Sequence, residues 1–403
     1  MTKKLLNIIT SLDPADGGVV DGPLRLSDIW RSWGVQVDFA TLDTPAAPYL
    51  AGMPGIHALG PRGDPARPEG PLSYRERLGY SPALVPWLRR HVGDYDAVLV
   101  HLLWNYATLA SRRTLVGGKT PFYVFPHGSL DPWFKEAYPR KDVAKQLLWP
   151  FNEGRLCNTA QAVLFTTEEE RLRAQDRYRP YRVHGEVVGF GSSDVSGDAM
   201  QQEAAFRTAV PALGDRPYLL FLSRIHPKKG CDLLVEAFCR IAHRYPDLDL
   251  VMAGPDQIGW QDALHAIAER QGLGQRIHWT GMIAGDVKWG AYRGCEAFTL
   301  TSHTENFGMV VAEALACGRP VLITDKVNVW REVAAADAGW VVSDTQEAVD
   351  GLIARFVDAP DGERARLAGN ARACYDRYFR METAAANILR VMGITPPAGP
   401  AAG

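Results

Sequence analysis

Apolar residues follow two patterns that alternate along the second half of the chain. Short apolar runs of strand length are separated by segments in which apolar residues recur with helical spacing. Between residues 231 and 245, for example, Leu234, Ala237, Phe238 and Ile241 fall on one helical face. This alternation predicts a parallel sheet covered by helices on both faces. The predicted strands are 218–223, 248–253, 276–280, 297–302, 320–324 and 339–342.

The first half of the chain repeats this pattern less regularly. Leu26, Ile29, Trp30 and Trp33 share a helical face, and Gly34 follows as a stop signal. The predicted fold class is therefore α/β, with two Rossmann-like doubly wound domains that face each other across a cleft. The predicted strands of the first domain are 5–10, 35–40, 97–104, 121–128, 162–167 and 185–191.

The length of 403 residues exceeds what one hydrophobic core usually supports, so two domains are expected. The composition changes between residues 189 and 202, where we expect the linker. Residues 45–71 are rich in Pro and Gly without a clear period and are interpreted as a long surface loop. The predicted divisions are a first domain at 1–192, a second domain at 193–375, a helix at 376–394 that returns to the first domain, and a disordered tail at 395–403.

Composition narrows the function classes. The net charge of −2 gives no indication of nucleic-acid binding. No apolar run is long enough to span a bilayer, and the N-terminal apolar stretch is interpreted as a strand rather than a signal peptide. The six cysteines lack C-x-x-C spacing and indicate buried thiols in a reducing compartment. A cytoplasmic protein is expected.

Two glutamates lie eight positions apart in "TENFGMVVAEALACGRP". Glu305 precedes a predicted helix that begins near Gly308, and Glu313 lies in its second turn. Amide N–H groups at a helix N-terminus favour an anion, and a neighbouring carboxylate can accept hydrogen bonds from sugar hydroxyls. The alternative interpretation is a helix-capping acid followed by a surface residue.

The sequence also contains one basic turn and two acidic D-x-D triplets. The turn "RIHPKKG" places Arg224 and Lys229 after a strand, where the two cations could bind an anion or could form an ordinary solvated turn. The D-x-D triplets at 94–96 and 247–249 precede strands, so they are interpreted as turn acids and not as metal ligands.

Three segments resemble one family. "ENFGMVVAEALACGRPVLIT" resembles the E-x7-E region of retaining glycosyltransferases of family 4 (group 1), which have the GT-B fold. "LSRIHPKKGCDLLVEAF" is similar to that family's diphosphate-binding segment, and "PHGSLDPW" is similar to its N-domain loop with a histidine. The resemblance follows the chain in order over nearly its whole length. Thr301-Ser302 stands where the family often has Pro-Ser, and residues 195–207 match poorly.

The resemblance implies a role for each matching residue. The domain at 1–192 would lie on the acceptor side, and the domain at 193–375 would bind the donor. His127 and Glu305 are the expected catalytic residues. By its place at the end of a predicted strand, His101 is a weaker candidate for the cleft, and core packing is an equally good interpretation of it. Arg224 and Lys229 would hold the donor diphosphate, Glu305 and the backbone at 306–309 the sugar, and Glu313 the ribose. The expected donor-binding residues are Gly17, Gly18, Arg224, Lys229, Gly254, Met282, Glu305, Asn306, Phe307, Gly308, Met309 and Glu313.

The implied reaction is transfer of a hexose from a UDP- or GDP-sugar to a glycan or lipid-linked oligosaccharide, with retention of configuration. No metal or other cofactor is expected, and a role in cell-surface polysaccharide biosynthesis is implied. The alternatives are a nucleotide-sugar epimerase of similar fold and a non-catalytic carbohydrate-binding scaffold. Residues 133–151 combine aromatic and basic side chains, so peripheral contact with the inner membrane surface is a hypothesis beside the alternative of an ordinary amphipathic helix.

Overall fold

A computed structural model describes residues 2–63, 79–133, 135 and 138–395. The chain divides into two compact units. The first comprises Met1–Gly189 with Met381–Gly403, and the second comprises Phe190–Arg380. The structure thus has boundaries after residues 189 and 380, where the sequence predicts them after residues 192 and 375.

The described part of the first unit contains a seven-stranded sheet in the order β3-β2-β1-β4-β5-β6-β7. Neighbouring strands are parallel throughout. The central strands are buried on both faces, which explains their continuous apolar runs. The strands are β1 (Lys4–Ile8), β2 (Gln36–Asp43), β3 (Ile56–Arg62), β4 (Ala97–His101), β5 (Phe122–Phe125), β6 (Ala162–Phe165) and β7 (Gly185–Val187).

Helices connect these strands. Val98, Val100 and Val124 of the sheet pack with Leu84, Leu88 and Ala107 of the helices in one core. The helices are α1 (Gly18–Ser32), α2 (Leu84–His91), α3 (Tyr106–Leu115), α4 (Pro139–Leu148), α5 (Glu153–Thr159) and α6 (Glu168–Ala174). Short 3-10 helices lie at Pro14–Asp16, Pro48–Leu50, Val92–Asp94 and Trp149–Phe151.

The second unit contains a six-stranded parallel sheet in the order β10-β9-β8-β11-β12-β13. The strands are β8 (Tyr218–Leu222), β9 (Asp249–Ala253), β10 (Ile277–Gly281), β11 (Ala297–Leu300), β12 (Val321–Thr324) and β13 (Gly339–Val342). Its helices are α7 (Ala199–Ala209), α8 (Cys231–Ala242), α9 (Gln261–Glu269), α10 (Gly285–Gly294), α11 (Met309–Ala316), α12 (Trp330–Ala335), α13 (Gln346–Asp358) and α14 (Asp361–Tyr378). Further 3-10 helices lie at Pro211–Leu213, Pro227–Lys229 and Gly274–Arg276.

The last helix, α15 (Met381–Val391), belongs to the first unit and contacts α1. The indole Nε1 of Trp30 donates a hydrogen bond to the carbonyl of Ala385, 3.0 Å away. Tyr123 donates to the carbonyl of Val391 at 3.3 Å. The tail predicted to be disordered lies outside the described residues from 396 onward.

The prediction of a long surface loop at 45–71 is wrong for residues 56–62. Strand β3 occupies Ile56–Arg62 and pairs with β2 alone, so it is the edge of the sheet. Because an edge strand needs hydrogen bonds on one side only, it tolerates Pro61, which obscured the strand pattern. Residues 64–71 of the predicted loop lie outside the described residues.

One acid of each D-x-D triplet makes structural contacts. Asp96 accepts hydrogen bonds from the Lys3 side chain at 2.7 Å and the Lys4 amide at 2.9 Å. Asp249 is not a turn acid as predicted, because it begins β9 and is buried. Its carboxylate binds Arg216 at 2.9 Å and Arg276 at 2.6 Å, and His278 lies at 2.8 Å.

This cluster fixes the charge of Asp249. Although burial alone would raise its pKa, hydrogen bonds from His278, Arg276 and Arg216 hold the pKa of Asp249 below its usual value. A lowered carboxyl pKa contributes stability that is present at neutral pH and lost as the pH falls below about 4.

We expect Asp249→Asn to lower the free energy of unfolding by about 2–4 kcal/mol at pH 7, because it leaves two arginines without their buried partner. Asp247→Asn is the matched control, since this exposed acid of the same triplet should change stability by less than about 0.5 kcal/mol. Urea unfolding of the intact protein measures both. Equal effects would contradict the assigned structural role of Asp249.

Candidate functional site

An ion pair joins two loops at the carboxyl ends of β8 and β11. The ammonium of Lys229 donates to the Glu305 carboxylate. Only 10% of the Lys229 side chain and 20% of the Glu305 side chain are exposed. Partial burial makes such a pair more costly to break than an exposed one. The structure therefore brings together the basic motif and the first glutamate identified in the sequence.

Backbone contacts hold this pair in place. The hydroxyl of Thr301 donates to the carbonyl of Gly230 at 2.7 Å, and the amide of His303 donates to the carbonyl of Lys228 at 2.9 Å. Gly230 has a φ of +58°, and a Cβ there would lie 2.0 Å from the Thr301 carbonyl oxygen. No residue with a side chain fits this approach without movement. Gly230 was not singled out in the sequence, although its place after two lysines at a turn is the signal for it.

Helix α11 begins four residues after Glu305, at Met309. Gly308 is its N-cap, with a φ of +80°, so the first amides of the helix have no acceptor within it. The side-chain oxygen of Asn306 is buried and has no hydrogen-bond partner among the residues that the structure describes. Phe307, in contrast, packs between Phe190 and Phe379, with ring centroids 5.4 and 5.8 Å away. Its side chain therefore anchors the loop, and its backbone is the part that a ligand could reach.

Glu313 lies one turn further along α11 and is already bound on both oxygens. Lys288 donates to Oε1 at 2.8 Å and the Tyr292 hydroxyl donates to Oε2 at 3.0 Å. Burial and the neighbouring Glu313 raise the pKa of Tyr292 well above its usual value, so this hydroxyl stays a donor. A ribose at Glu313, as the sequence predicts, would share the carboxylate with these two residues. Neither Lys288 nor Tyr292 was singled out in the sequence, and each lies in α10, far from the motifs.

The remaining predicted donor residues lie on neighbouring loops. Arg224 is exposed, and its guanidinium donates to Gln257 at 3.3 Å. Gly254 has a φ of +137°, and its amide donates to the Gly281 carbonyl at 2.8 Å. Met282 is 78% exposed in the loop after β10. The carboxyl ends of four strands thus contribute to one edge of the second sheet, where open α/β sheets bind ligands.

At the carboxyl edge of the first sheet, three polar side chains form a chain of contacts. His127 Nε2 lies 2.9 Å from His101 Nδ1, and His101 Nε2 lies 2.9 Å from Asn7 Oδ1. The half-buried ring of His127 stacks on Phe125 at 4.1 Å between centroids. Burial lowers the pKa of His127 to about 3, and burial followed by the nearby His127 lowers the pKa of His101 well below its usual value. Both rings are therefore neutral at physiological pH.

The loop that carries His127 has an unusual backbone conformation. His127 has a φ of +48°, and Leu102 and Trp104 after β4 have φ values of +64° and +67°. Positive φ values in residues other than glycine cost energy and concentrate at functional sites. The buried Glu170 holds this loop, because one carboxylate oxygen accepts from the Gly128 amide at 2.7 Å and the other binds Thr166. Glu170 was missed, although the "TTEEE" stretch after a predicted strand is a helix-capping signal.

Gly17 and Gly18 lie at the start of α1 at the same edge. Gly17 is the N-cap with a φ of +70°, and Gly18 is the first helical residue. A cavity of about 340 Å³ lies beside them and is lined in part by Val19, Ser11 and Asn105. Among the residues that the structure describes, no group of three or more His, Cys, Asp or Glu side chains is arranged to hold a metal ion.

Comparison with known proteins identifies the family. Residues 202–373 match the family model of Glycosyl transferases group 1, and residues 17–191 match that of the Glycosyl transferase 4-like domain. The chain is 30% identical to a D-inositol 3-phosphate glycosyltransferase of Xylanimonas cellulosilytica over 403 residues, which covers 93% of this chain and 91% of the relative. The chain belongs to the group 1 glycosyltransferases. It is therefore a transferase, which speaks against the epimerase and scaffold alternatives.

Other relatives and solved structures are consistent with this family assignment. A phosphatidyl-myo-inositol mannosyltransferase of Mycolicibacterium smegmatis is 25% identical, with 95% of this chain and 92% of the relative covered. Anabaena HepE in complex with UDP and glucose has a TM-score of 0.72 at 19% identity, with coverage of 97% and 99%. Sucrose-phosphate synthase from Thermosynechococcus elongatus has a TM-score of 0.76 at 19% identity, with coverage of 96% and 98%. The predicted GT-B fold is confirmed.

We expect the His127 ring of this glycosyltransferase to stay neutral from pH 5 to pH 8, because its pKa lies near 3. Histidine-selective NMR should show ring resonances that do not shift over this range, with His127→Gln used to assign them. An inflection near pH 6.5 would show that the ring is hydrated and titrates freely, contrary to the packing described.

We expect Gly230→Ala to destabilise the glycosyltransferase by about 3 kcal/mol or more, because the new Cβ meets the Thr301 carbonyl. Gly214→Ala is the control, since Gly214 has a similar φ of +54° but no neighbouring atoms within 4 Å. It should cost only about 1 kcal/mol from backbone strain. Chemical unfolding compares the two, and equal losses would mean that close approach at Gly230 is unimportant.

Proposed function

We propose that this glycosyltransferase transfers a hexose from a UDP- or GDP-sugar to a glycan or lipid-linked glycan, with retention of configuration. The observation that supports this most directly is the Lys229–Glu305 pair beside the first amides of α11. A cation, a carboxylate and free amide donors in one place suit a ligand that carries both phosphate oxygens and sugar hydroxyls.

Each group has a distinct task in the proposed reaction. Breaking the bond between sugar and phosphate builds negative charge on the departing diphosphate. Arg224, Lys229 and the α11 amides would stabilise this charge through fixed donors, without need for a metal ion. Glu305 would accept hydrogen bonds from the sugar hydroxyls, and Glu313 would do so from the ribose. The structural likeness to Anabaena HepE, which was solved in complex with UDP and glucose, supports a nucleotide as the donor group.

In the first unit, we propose His127 as a neutral contributor to catalysis. A ring whose pKa is near 3 cannot act as an acid at pH 7, but it can donate one hydrogen bond and accept another. The contact with His101, which in turn contacts Asn7, would fix its tautomer and orientation. We therefore assign it to positioning of a sugar rather than to proton transfer.

The relatives of this glycosyltransferase indicate the chemistry of its acceptor. Relatives are named for inositol phosphate and phosphatidylinositol acceptors, so acceptors that combine phosphate with hydroxyl groups fit the family. We retain cell-surface polysaccharide synthesis in the cytoplasm as the role. In the described part of the chain, none of the helices has both the length and the apolar character of a membrane span.

Peripheral contact with the inner membrane surface would involve helix α4. Its Val143, Leu147 and Leu148 side chains are exposed, as is Phe151 just after it. Of the basic residues, Lys145 lies over the Trp104 ring at 4.8 Å and so helps to cover the core. The exposed apolar side chains favour membrane contact over the alternative of an ordinary amphipathic helix.

We expect UDP or GDP at a hundredfold excess over its dissociation constant to stabilise the glycosyltransferase by about 2.7 kcal/mol. Thermal unfolding with UDP, GDP, ADP and dTDP measures the stabilisation and identifies the base of the donor nucleotide. Lys229→Ala should abolish the stabilisation because it removes the cation at the diphosphate, whereas Lys228→Ala should keep it. A shift that persists in Lys229→Ala would contradict this position of the diphosphate.

Retention of the anomeric configuration is measured separately, on the product. Product formed from an α-linked nucleotide sugar should have the α configuration by proton NMR. A β-linked product would contradict retention while leaving the donor site intact.

A further inference from the structure

A cluster of four arginines surrounds one cavity in the first unit, and the reaction proposed above does not use it. Arg89 of α2, Arg112 and Arg113 of α3, and Arg155 of α5 line a cavity of about 430 Å³. Two valines complete the lining that the structure describes. We call these four residues the arginine pocket.

The arginine pocket lies away from the carboxyl edge that carries His127. Arg89 is in the last turn of α2, which leads to the start of β4, and Arg112 and Arg113 are in the last turn of α3, which leads to the start of β5. These helix ends lie toward the amino ends of the strands. The pocket is therefore separate from the candidate catalytic edge of the same sheet.

The arginine pocket has no acidic partner among the described residues. None of its four arginines forms an ion pair there, and the Nε of Arg112 donates at 3.1 Å to Asn152, which is neutral. The nearest carboxylate in sequence, Glu153, is buried and accepts from Asn152 at 2.7 Å and Thr108 at 3.3 Å. Burial raises the pKa of Glu153, which further weakens it as a counter-charge.

Helix dipoles account for only part of this arrangement. Arg89, Arg112 and Arg113 lie at helix C-termini, where a cation is favoured. Arg155 is the third residue of α5 and lies at a helix N-terminus, where a cation is disfavoured. The helix dipole therefore does not account for Arg155, and an anion held by all four residues would stabilise it in the pocket.

We propose that the arginine pocket binds a phosphate-bearing ligand. Guanidinium groups present paired N–H donors that match phosphate oxygens, and they keep their charge at any physiological pH. Exposed arginines can reach such a ligand from solvent, and Arg89, Arg113 and Arg155 are exposed. The phosphate could belong to a soluble polyphosphate or to a lipid headgroup, since exposed Phe151 directly precedes Asn152.

Two probes distinguish these sources in the full-length protein. Titration calorimetry with tripolyphosphate measures a soluble ligand, and co-sedimentation with phosphatidylglycerol vesicles, against phosphatidylcholine vesicles, measures a lipid headgroup. The pocket variant is Arg89→Glu with Arg113→Glu. The control is Arg90→Glu with Lys119→Glu, which makes the same charge change at exposed neighbours outside the pocket.

We expect the affinity for at least one probe to fall by about tenfold or more in the pocket variant and by less than about twofold in the control. Loss for tripolyphosphate identifies a soluble phosphate, and loss for the vesicles alone identifies a lipid phosphate. Equal behaviour of pocket variant and control with both probes, or binding of neither probe by the native protein, overturns the proposal.

A second variant guards against local misfolding. Arg155→Glu lies on another helix and should reproduce the loss, with thermal unfolding used to verify that each variant is folded. Nucleoside-diphosphate binding should be unchanged in all of them, because the arginine pocket and the Lys229 site lie in different units. Failure of this proposal is therefore distinguishable from failure of the proposed function.

Discussion

The ion pair between Lys229 and Glu305 determines the shape of the candidate donor edge. Its partners come from loops after two adjacent strands, so the pair forms only if both loops are placed correctly. Gly230 allows that placement because its backbone approaches Thr301 more closely than a side chain would permit. Since breaking a partly buried pair leaves an unmatched charge, the loops are held firmly and the α11 amides remain available to a ligand.

Buried carboxylates have the same role at the edge of the other sheet. Glu170 holds the loop of His127 by accepting from the Gly128 amide, while its other oxygen accepts from the amide and the hydroxyl of Thr166. Asp43 is likewise buried and accepts from Ser11, the Leu12 amide and Tyr49, which fixes the loop that leads to Gly17. At this edge of the first unit, two structural carboxylates support loops whose own residues are left for function.

Much of the fold could be predicted because buried parallel strands are continuous apolar runs, as in 218–222 and 321–324. Strand β3 was missed because an edge strand has neither this run nor a strict alternation. Local motifs predicted the residues near α11, but Lys288 and Tyr292 could not be foreseen as partners of Glu313. That contact depends on how α10 packs beside α11, which no local pattern records. The contacts that link Asn7, His101 and His127 likewise depend on how three strands pair, so the sequence indicated the two histidines but neither Asn7 nor the contacts.

The central claim is that a nucleotide sugar binds at the start of α11 beside the Lys229–Glu305 pair. Amide-resolved hydrogen exchange with and without the nucleotide that binds tests it most directly, because a diphosphate would accept hydrogen bonds from amides that have no acceptor in the helix. The account predicts that exchange at residues 306–310 slows by about tenfold or more on binding. Slowed exchange elsewhere in the second unit, with residues 306–310 unchanged, would contradict it.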